Sequence, residues 1–193
     1  RQLARTPTLF GEIRQPHSHY LLIPSVSSEN RKYVPIGFMP KSVIASNLVL
    51  FVPDATLYHF GVLSSAMHMA GVRQVGGRLE SRYRYSAKLV YNNYPWPDSP
   101  GEKQHAAVEA AAQAVLDVRT KFQTHGESLA ELYDPLAMPP KLVQAHAALD
   151  RAVDRCYRTQ PFSEERQRVE FLFALYEKLT APLIPATRKR SRR

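Results

Sequence analysis

"GRLESRYRYSAKLVYNNYPWPDSPG", residues Gly77 to Gly101, separates two unlike patterns in this chain. Before it, short β-branched or aromatic runs end at Pro or Gly. After it, apolar residues recur every three or four positions. Within it, Arg78 to Tyr85 alternates in the manner of a strand, Lys88 to Tyr91 alternates again, and Pro97-Asp98-Ser99-Pro100-Gly101 has the composition of a linker. The expected fold class is therefore α+β: a small mixed α/β domain over residues 1–97, an α-helical bundle over 98–187, and a basic tail over 188–193.

Upstream of that stretch, Tyr20 to Pro24, Tyr33 to Phe38 and Leu48 to Pro53 read as strands, with a polar turn at Ser27-Ser28-Glu29-Asn30. Their prolines favour edge strands or strand ends, since proline cannot donate to a sheet ladder. From Leu57 to Val72, Phe60, Leu63, Met67 and Ala70 keep helical spacing. One helix is expected there, with Asp54 as its cap and Gly71 near its end. Downstream, three amphipathic helices are expected. They are marked by Val108, Ala111, Val115, Val118 and Phe122; by Leu142, His146, Leu149, Val153 and Cys156; and by Val169, Leu172, Tyr176 and Leu179. Pro139-Pro140 starts the second, Ser163 with Glu164 and Glu165 starts the third, and Pro182 and Pro185 end it. Ser128 to Glu131 is a capping-box pattern on a short intervening helix.

The chain has 193 residues and 44% hydrophobic content, ordinary for a soluble protein with a real core. Its net charge of +9 is unevenly spread. Residues 1–97 hold 11 Lys/Arg against 4 Asp/Glu, residues 98–187 hold 10 against 13, and the last six residues add 5 cations. A basic first half beside an acidic helical half is the footprint of a polyanion-binding module, although solubility charge explains the same numbers about as well. A single cysteine, Cys156, excludes an internal disulfide. No charged-then-apolar leader and no run of roughly 18 apolar residues is present, so a cytoplasmic setting without membrane insertion is expected. The opening at Arg1 reads as a piece of something longer.

Catalytic motifs are incomplete. An amino-methylating loop needs Asn or Asp followed by Pro-Pro and an aromatic residue, to accept hydrogen bonds from the target amino group while a ring stacks on the base. Asn92-Asn93-Tyr94-Pro95 has no Pro-Pro, and Asp134-Pro135 lacks the second proline. Gly76-Gly77 leads into a basic strand and not into a helix, so it offers no cofactor turn. The histidines are scattered, with His17 and His19 the only close pair, and give no zinc spacing. Ser64-Ser65, near His59 and His68, lack a nucleophile elbow and read as close-packing residues.

Recognition is what remains. On a strand, Glu80, Arg82 and Arg84 form one row, and Ser81, Tyr83 and Tyr85 the other. Arg donates bidentately to guanine O6 and N7, and Glu accepts from cytosine N4, so Glu80 and Arg82 together can read both halves of one C·G pair. The plain alternative is a surface ion pair, which is common and energetically minor. Spacing alone favours that alternative.

Gly77 to Ser86, followed by Leu89 to Pro97, resembles the end of the target recognition domain in MmeI-like (type IIL) restriction-modification enzymes. These enzymes join an endonuclease, an adenine amino-methyltransferase and a specificity region in one chain. The resemblance extends upstream through Phe10-Gly11-Glu12-Ile13-Arg14-Gln15-Pro16, Tyr33 to Phe38 and Pro53 to Ser65, and downstream through Ser128 to Pro135 and Ala152-Val153-Asp154. It implies that Glu80 and Arg82 are a specificity pair, in positions where Glu-x-Arg alternates with Lys-x-Asp. It further implies base-reading positions at Arg84, Asn47 and Leu48. Asn92 to Pro97 matches the strand end and exit turn.

The expected function is thus sequence recognition on double-stranded DNA for a site-specific adenine-N6 methyltransferase. Arg14, Arg31, Lys32, Arg73 and Arg78 are candidates for phosphate contact. No cofactor is expected in these residues, S-adenosylmethionine belongs to the parent, and the partner is a methyltransferase domain that precedes this segment. The basic tail is expected to be unfolded and to add affinity without sequence preference. The rival reading is a non-catalytic protein-interaction module with an incidentally basic surface.

Overall fold

Antiparallel pairing organises the first half of the chain into two small sheets. The computed structural model describes residues 3–5, 8 and 14–181. Phe10 to Ile13, Pro182, Pro185 and the tail 188–193 lie outside the described residues. The first sheet places β1 (Tyr20–Pro24) between β3 (Gly37–Met39) and β4 (Val49–Pro53), with Leu21 opposite both Phe38 and Val52. The second places β6 (Arg82–Arg84) between β2 (Val26–Ser27) and β5 (Gly77–Leu79). Pro24 and Pro53 end their strands, as a residue without an N–H must.

Three expectations are corrected by the structure. The run Tyr33 to Phe38 pairs only from Gly37, because Pro35 interrupts it and the Ile36 amide turns back to the Val34 carbonyl at 2.9 Å. Tyr33, Val34 and Ile36 are nonetheless buried and fill the core as an irregular segment. The helix expected over Leu57 to Val72 is two helices, α1 (Leu57–Leu63) and α2 (Ala66–Val75). Thr56 and not Asp54 caps α1, in a reciprocal box with His59, while Asp54 sits in a turn at φ 52°. Ser65 caps α2 and donates to the Val62 carbonyl at 2.7 Å, so the two buried serines break the helix while the apolar spacing runs on. Gly71 is interior to α2, and Gly76 ends it; a Cβ at Gly76 would lie 2.4 Å from the Val72 carbonyl oxygen. Lastly, Lys88 to Tyr91 is not a strand. Ala87–Tyr91 forms a π-helical turn capped by Ser86, with the Asn92 amide bonded to the Ala87 carbonyl at 2.8 Å.

The second half is helical as expected: α3 (Glu102–Gln123), α4 (Leu129–Leu132), α5 (Pro140–Tyr157) and α6 (Glu165–Thr180). Ser128 and Glu131 close the capping box of α4, and Pro140 takes the first position of α5. Glu164, one residue later than Ser163, occupies the cap position of α6. The composition break at 97–101 does not break the core. Ile36, Phe60 and Met67 share one buried cluster with Val108, Val115, Leu149 and Leu172. At Gly61 a Cβ would meet Val108 Cγ1 at 2.7 Å, so a side chain there would push α1 and α3 apart.

Buried polar groups fasten the halves together. Asp150 on α5 accepts from the Tyr33 hydroxyl at 2.6 Å and from the Ala66 amide at the start of α2 at 2.7 Å. Arg168 on α6 forks onto Asp154 of α5 at 3.0 and 2.6 Å.

Two buried histidines give stability a pH dependence. Burial lowers the His68 pKa to about 3, and burial with the nearby Arg119 charge holds His146 well below its ordinary 6.5. Once unfolded, both take up protons below pH 6.5 that the folded protein refuses, so stability is full above that value and falls as pH drops through it. Each histidine contributes a slope of about 1.4 kcal/mol per pH unit. Asp150, whose carboxyl burial pushes upward, opposes this only near its own range. Urea melts are expected to lose about 2.7 kcal/mol between pH 7.5 and 5.5; equal stability at both would contradict neutral burial.

Candidate nucleic-acid interface

β5 and β6 form a hairpin closed by the Leu79↔Arg82 pair, which leaves Glu80 and Ser81 as its turn. Glu80 therefore does not stand on the strand beside Arg82, as alternation alone suggested. It takes the left-handed conformation, φ 58°, where an L side chain costs about 1–2 kcal/mol and glycine is the usual occupant. Ser81, expected on the inward row, is likewise an exposed turn residue. The carboxylate and guanidinium meet all the same: Arg82 Nη2 donates to Glu80 Oε2 at 2.5 Å, with the side chains 45% and 76% exposed. An ion pair this open contributes little to stability and costs little to separate.

On β6 the alternation holds. Arg82 and Arg84 face solvent, while Tyr83 between them and Tyr85 beyond are buried. The inward residues secure the row. The Tyr85 hydroxyl meets His68 Nε2 on α2 at 2.8 Å, and the Arg78 guanidinium on β5 lies 4.0 Å above the Tyr83 ring while its Nη1 donates to the Ser81 carbonyl at 3.2 Å. Burial of Tyr85 raises its pKa far beyond neutrality, so its phenol is protonated at the contact.

Asn47 and Leu48 occupy the exposed turn before β4, and one residue connects that turn to β6. The Ser25 amide and hydroxyl both donate to the Leu48 carbonyl, at 3.0 and 2.6 Å, and the Ser25 carbonyl accepts from the Tyr85 amide at 2.8 Å. Val26, the next residue, pairs with Arg84. Backbone bonds thus link the Leu48 turn through Ser25 to the end of the central strand β6, whose exposed Arg84 and Arg82 lead to the Glu80 turn. Ser25 as the junction was not foreseen, because its role depends on a pairing distant in sequence.

The five phosphate candidates divide. Arg14 and Lys32 are exposed, the latter 5.3 Å from the Tyr33 ring centre. Arg31 donates to the Ala130 carbonyl at 3.3 Å, and Arg78 belongs to the hairpin. Arg73 is tied to Glu165 on α6 and donates to the Lys32 carbonyl at 3.3 Å, which gives it an internal partner on each side. Among the described residues no cluster of His, Cys, Asp and Glu is arranged to hold a metal, and no helix is long and apolar enough to cross a membrane.

Known proteins resemble this chain over nearly its whole length. Residues 1–98 match the family described as "MmeI, target recognition domain", and residues 100–184 match "MmeI, C-terminal domain". DNA methyltransferase A of Bacillus subtilis (strain 168) is 41% identical over 179 residues, an alignment covering 93% of this chain and 20% of that protein. A solved structure of the Type IIL restriction-modification enzyme MmeI in complex with DNA is 52% identical, with a TM-score of 0.88 over 94% of this chain and 24% of that one. The chain therefore spans only a fifth to a quarter of the length of these two relatives.

Proposed function

We infer the function from the premise that this chain belongs to the MmeI family, residues 1–98 corresponding to its target recognition domain and 100–184 to its C-terminal domain. On that premise the segment chooses the DNA sequence on which a larger protein acts. The parent is a site-specific DNA adenine-N6 methyltransferase of a restriction-modification system, working in the cytoplasm and drawing its methyl group from S-adenosylmethionine bound in a domain that precedes this segment. The present residues hold no part of that transfer; their work is to bind and to discriminate.

The observation that carries this reading is the hairpin tip. A carboxylate and a guanidinium stand 2.5 Å apart at an exposed turn, on a strand whose alternate residues are buried tyrosines. Such a tip enters a major groove as a two-stranded ribbon, and its paired charges match the donor and acceptor edges of a C·G pair: Arg82 toward guanine, Glu80 toward cytosine. Arg84 on the same strand and Asn47 and Leu48 in the turn linked to it through Ser25 read neighbouring positions. Arg14, Arg31, Lys32 and Arg78 meet phosphates and set the register, with Arg73 the weakest of the five because its charge is already answered by Glu165. The helical half, about 98–187, buttresses the reading half through their common core and presents the face against which the methyltransferase domain packs.

Salt separates this reading from the protein-interaction rival. Duplex binding is expected to weaken with a log-log slope of about 0.9 per neutralised phosphate, so engagement of four candidates costs about a hundredfold between 50 and 200 mM salt. A flat salt response with no duplex affinity would favour the rival.

A further inference from the structure

The loop between β3 and β4 holds two strongly exposed aliphatic side chains, and only one of them, Leu48, belongs to the reading set. Leu48 is 65% exposed; the other, Ile44, is 73% exposed. A lone isoleucine in water is ordinary on a protein surface. This one stands in a loop that is anchored at both ends. At the near end the Gln15 amide donates to the Lys41 and Val43 carbonyls at 3.0 and 2.9 Å, and the hydroxyl of the fully buried Tyr20 on β1 donates to the Val43 carbonyl at 2.8 Å. At the far end Ser25 holds the Leu48 carbonyl from both its amide and its hydroxyl. Only Ile44 to Asn47 lie between the anchors, and Ile44 follows directly on the first. The backbone thus presents its side chain to solvent from a fixed point, next to the turn that carries Asn47 and Leu48.

The geometry points to Ile44 as a further specificity-determining residue, which meets the 5-methyl group of a thymine in the major groove. This rests on the proposed function, in which Asn47 and Leu48 read bases. An aliphatic side chain neither donates nor accepts a hydrogen bond, so it answers neither a phosphate nor a polar base edge. The apolar feature that a base pair offers in the major groove is the thymine methyl. That groove is the one Glu80 and Arg82 address, because guanine O6 and N7 and cytosine N4 lie there. Distance limits which thymine it is. Ile44 precedes Leu48 by four residues, a chain span of at most about 14 Å, and that covers about four base steps of roughly 3.4 Å. The thymine therefore lies within about four base pairs of the pair read by Leu48. One methyl group taken out of water against Ile44 is worth about fourfold in discrimination.

The test uses the intact parent carrying this segment and duplexes that contain its methylated motif. Each thymine in the motif, and in about four base pairs on either side of it, is replaced singly by deoxyuridine, which removes the methyl group and leaves the hydrogen-bonding edge unchanged. Relative methylation is measured for the native protein, Ile44→Ala and Ile44→Val. Thermal melting checks folding, which substitution of so exposed a residue is expected to leave unmoved. In the native protein, deoxyuridine at one position is expected to slow methylation about fourfold. Ile44→Ala is expected to methylate the thymine and deoxyuridine duplexes at the same rate, and Ile44→Val to keep most of the difference. A window in which no thymine responds, or which contains none, would overturn the inference. So would a response of equal size in the native and alanine proteins, since the methyl would then be met by another group. Either result beside intact discrimination by Glu80 and Arg82 sinks this inference alone. If E80A and R82A themselves leave the preference untouched, the functional reading falls, and the inference falls with it for that separate reason.

Discussion

Replacing Glu80 with lysine and Arg82 with aspartate together is expected to turn the preference at one position of the recognition site from C·G to G·C, with methylation otherwise intact. The new lysine donates to guanine O6 and N7 and the new aspartate accepts from cytosine N4, so the donor and acceptor edges are both answered, on opposite strands from before. Each substitution alone is expected to cripple recognition of either pair. One base edge then faces a group of its own kind across a partly dried contact, at a cost of about 1–3 kcal/mol per lost pairing, or about fivefold to more than a hundredfold in relative affinity. A surface ion pair behaves differently. Its two charges are 45% and 76% exposed, so each single change would cost the fold almost nothing and the double reversal would simply re-form the pair. Stability and specificity thus answer separate questions: melting temperature is expected to be unmoved in all three variants, while the sequence preference moves in each.

The largest effect on stability is expected from Arg119. Its side chain is 2% exposed on α3, and its charge is met by the Ile36 carbonyl at 2.6 Å, by two bonds to the Tyr133 hydroxyl, and by the faces of the Phe60 and Tyr133 rings at 4.9 and 4.7 Å. Tyr133, having accepted from Arg119, passes its own proton toward His146 Nε2 at 2.6 Å. One guanidinium therefore satisfies the irregular segment before β3, the end of α4 and, through Tyr133, the middle of α5. Arg119→Ala leaves the Ile36 carbonyl without its buried donor and opens a cavity under the rings; a loss of about 3–5 kcal/mol in urea melts is expected. Arg119→Lys keeps one donor and part of the volume, so its loss is expected to be smaller. A loss below about 1 kcal/mol for the alanine variant would mean that the network is not what ties the two halves together.

Helices were the most legible part of the sequence, and the reason is length. Val108 to Phe122 and Leu142 to Cys156 keep the helical period over several turns, Pro139-Pro140 marks the start of the second chemically, and Ser128 to Glu131 marks the start of the short α4. Short runs carry no such redundancy. Four alternating residues at Lys88 to Tyr91 fit a strand and a π-helical turn equally well, and the structure takes the turn because Ser86 caps it and Val90 is buried beneath it. The break between α1 and α2 was invisible for the opposite reason. Phe60, Leu63, Met67 and Ala70 keep their spacing across it, and only the paired serines, of which the Ser65 hydroxyl bonds the Val62 carbonyl and caps α2, hint at the interruption.

The candidate site divides in the same way. Arg82 and Arg84 were readable as an outward row because Tyr83 and Tyr85 alternate with them. Glu80 was misplaced onto the strand, since nothing about a glutamate signals the left-handed backbone that glycine or asparagine would announce. Asn47 and Leu48 came from the family resemblance alone. What joins them to Arg84 is Ser25, whose role depends on the pairing of Val26 with Arg84, far apart in the sequence, for which no local pattern exists.

The central claim is that this segment sets the sequence on which its parent acts, through the tip formed by Glu80 and Arg82. Its most direct test is to map methylated adenines across the genome in cells that express the intact parent, either native or with Glu80→Lys and Arg82→Asp together. The account expects two motifs of the same length that differ at a single base pair, C·G in one and G·C in the other. An unchanged motif at normal methylation levels would remove Glu80 and Arg82 from the reading surface and contradict the account.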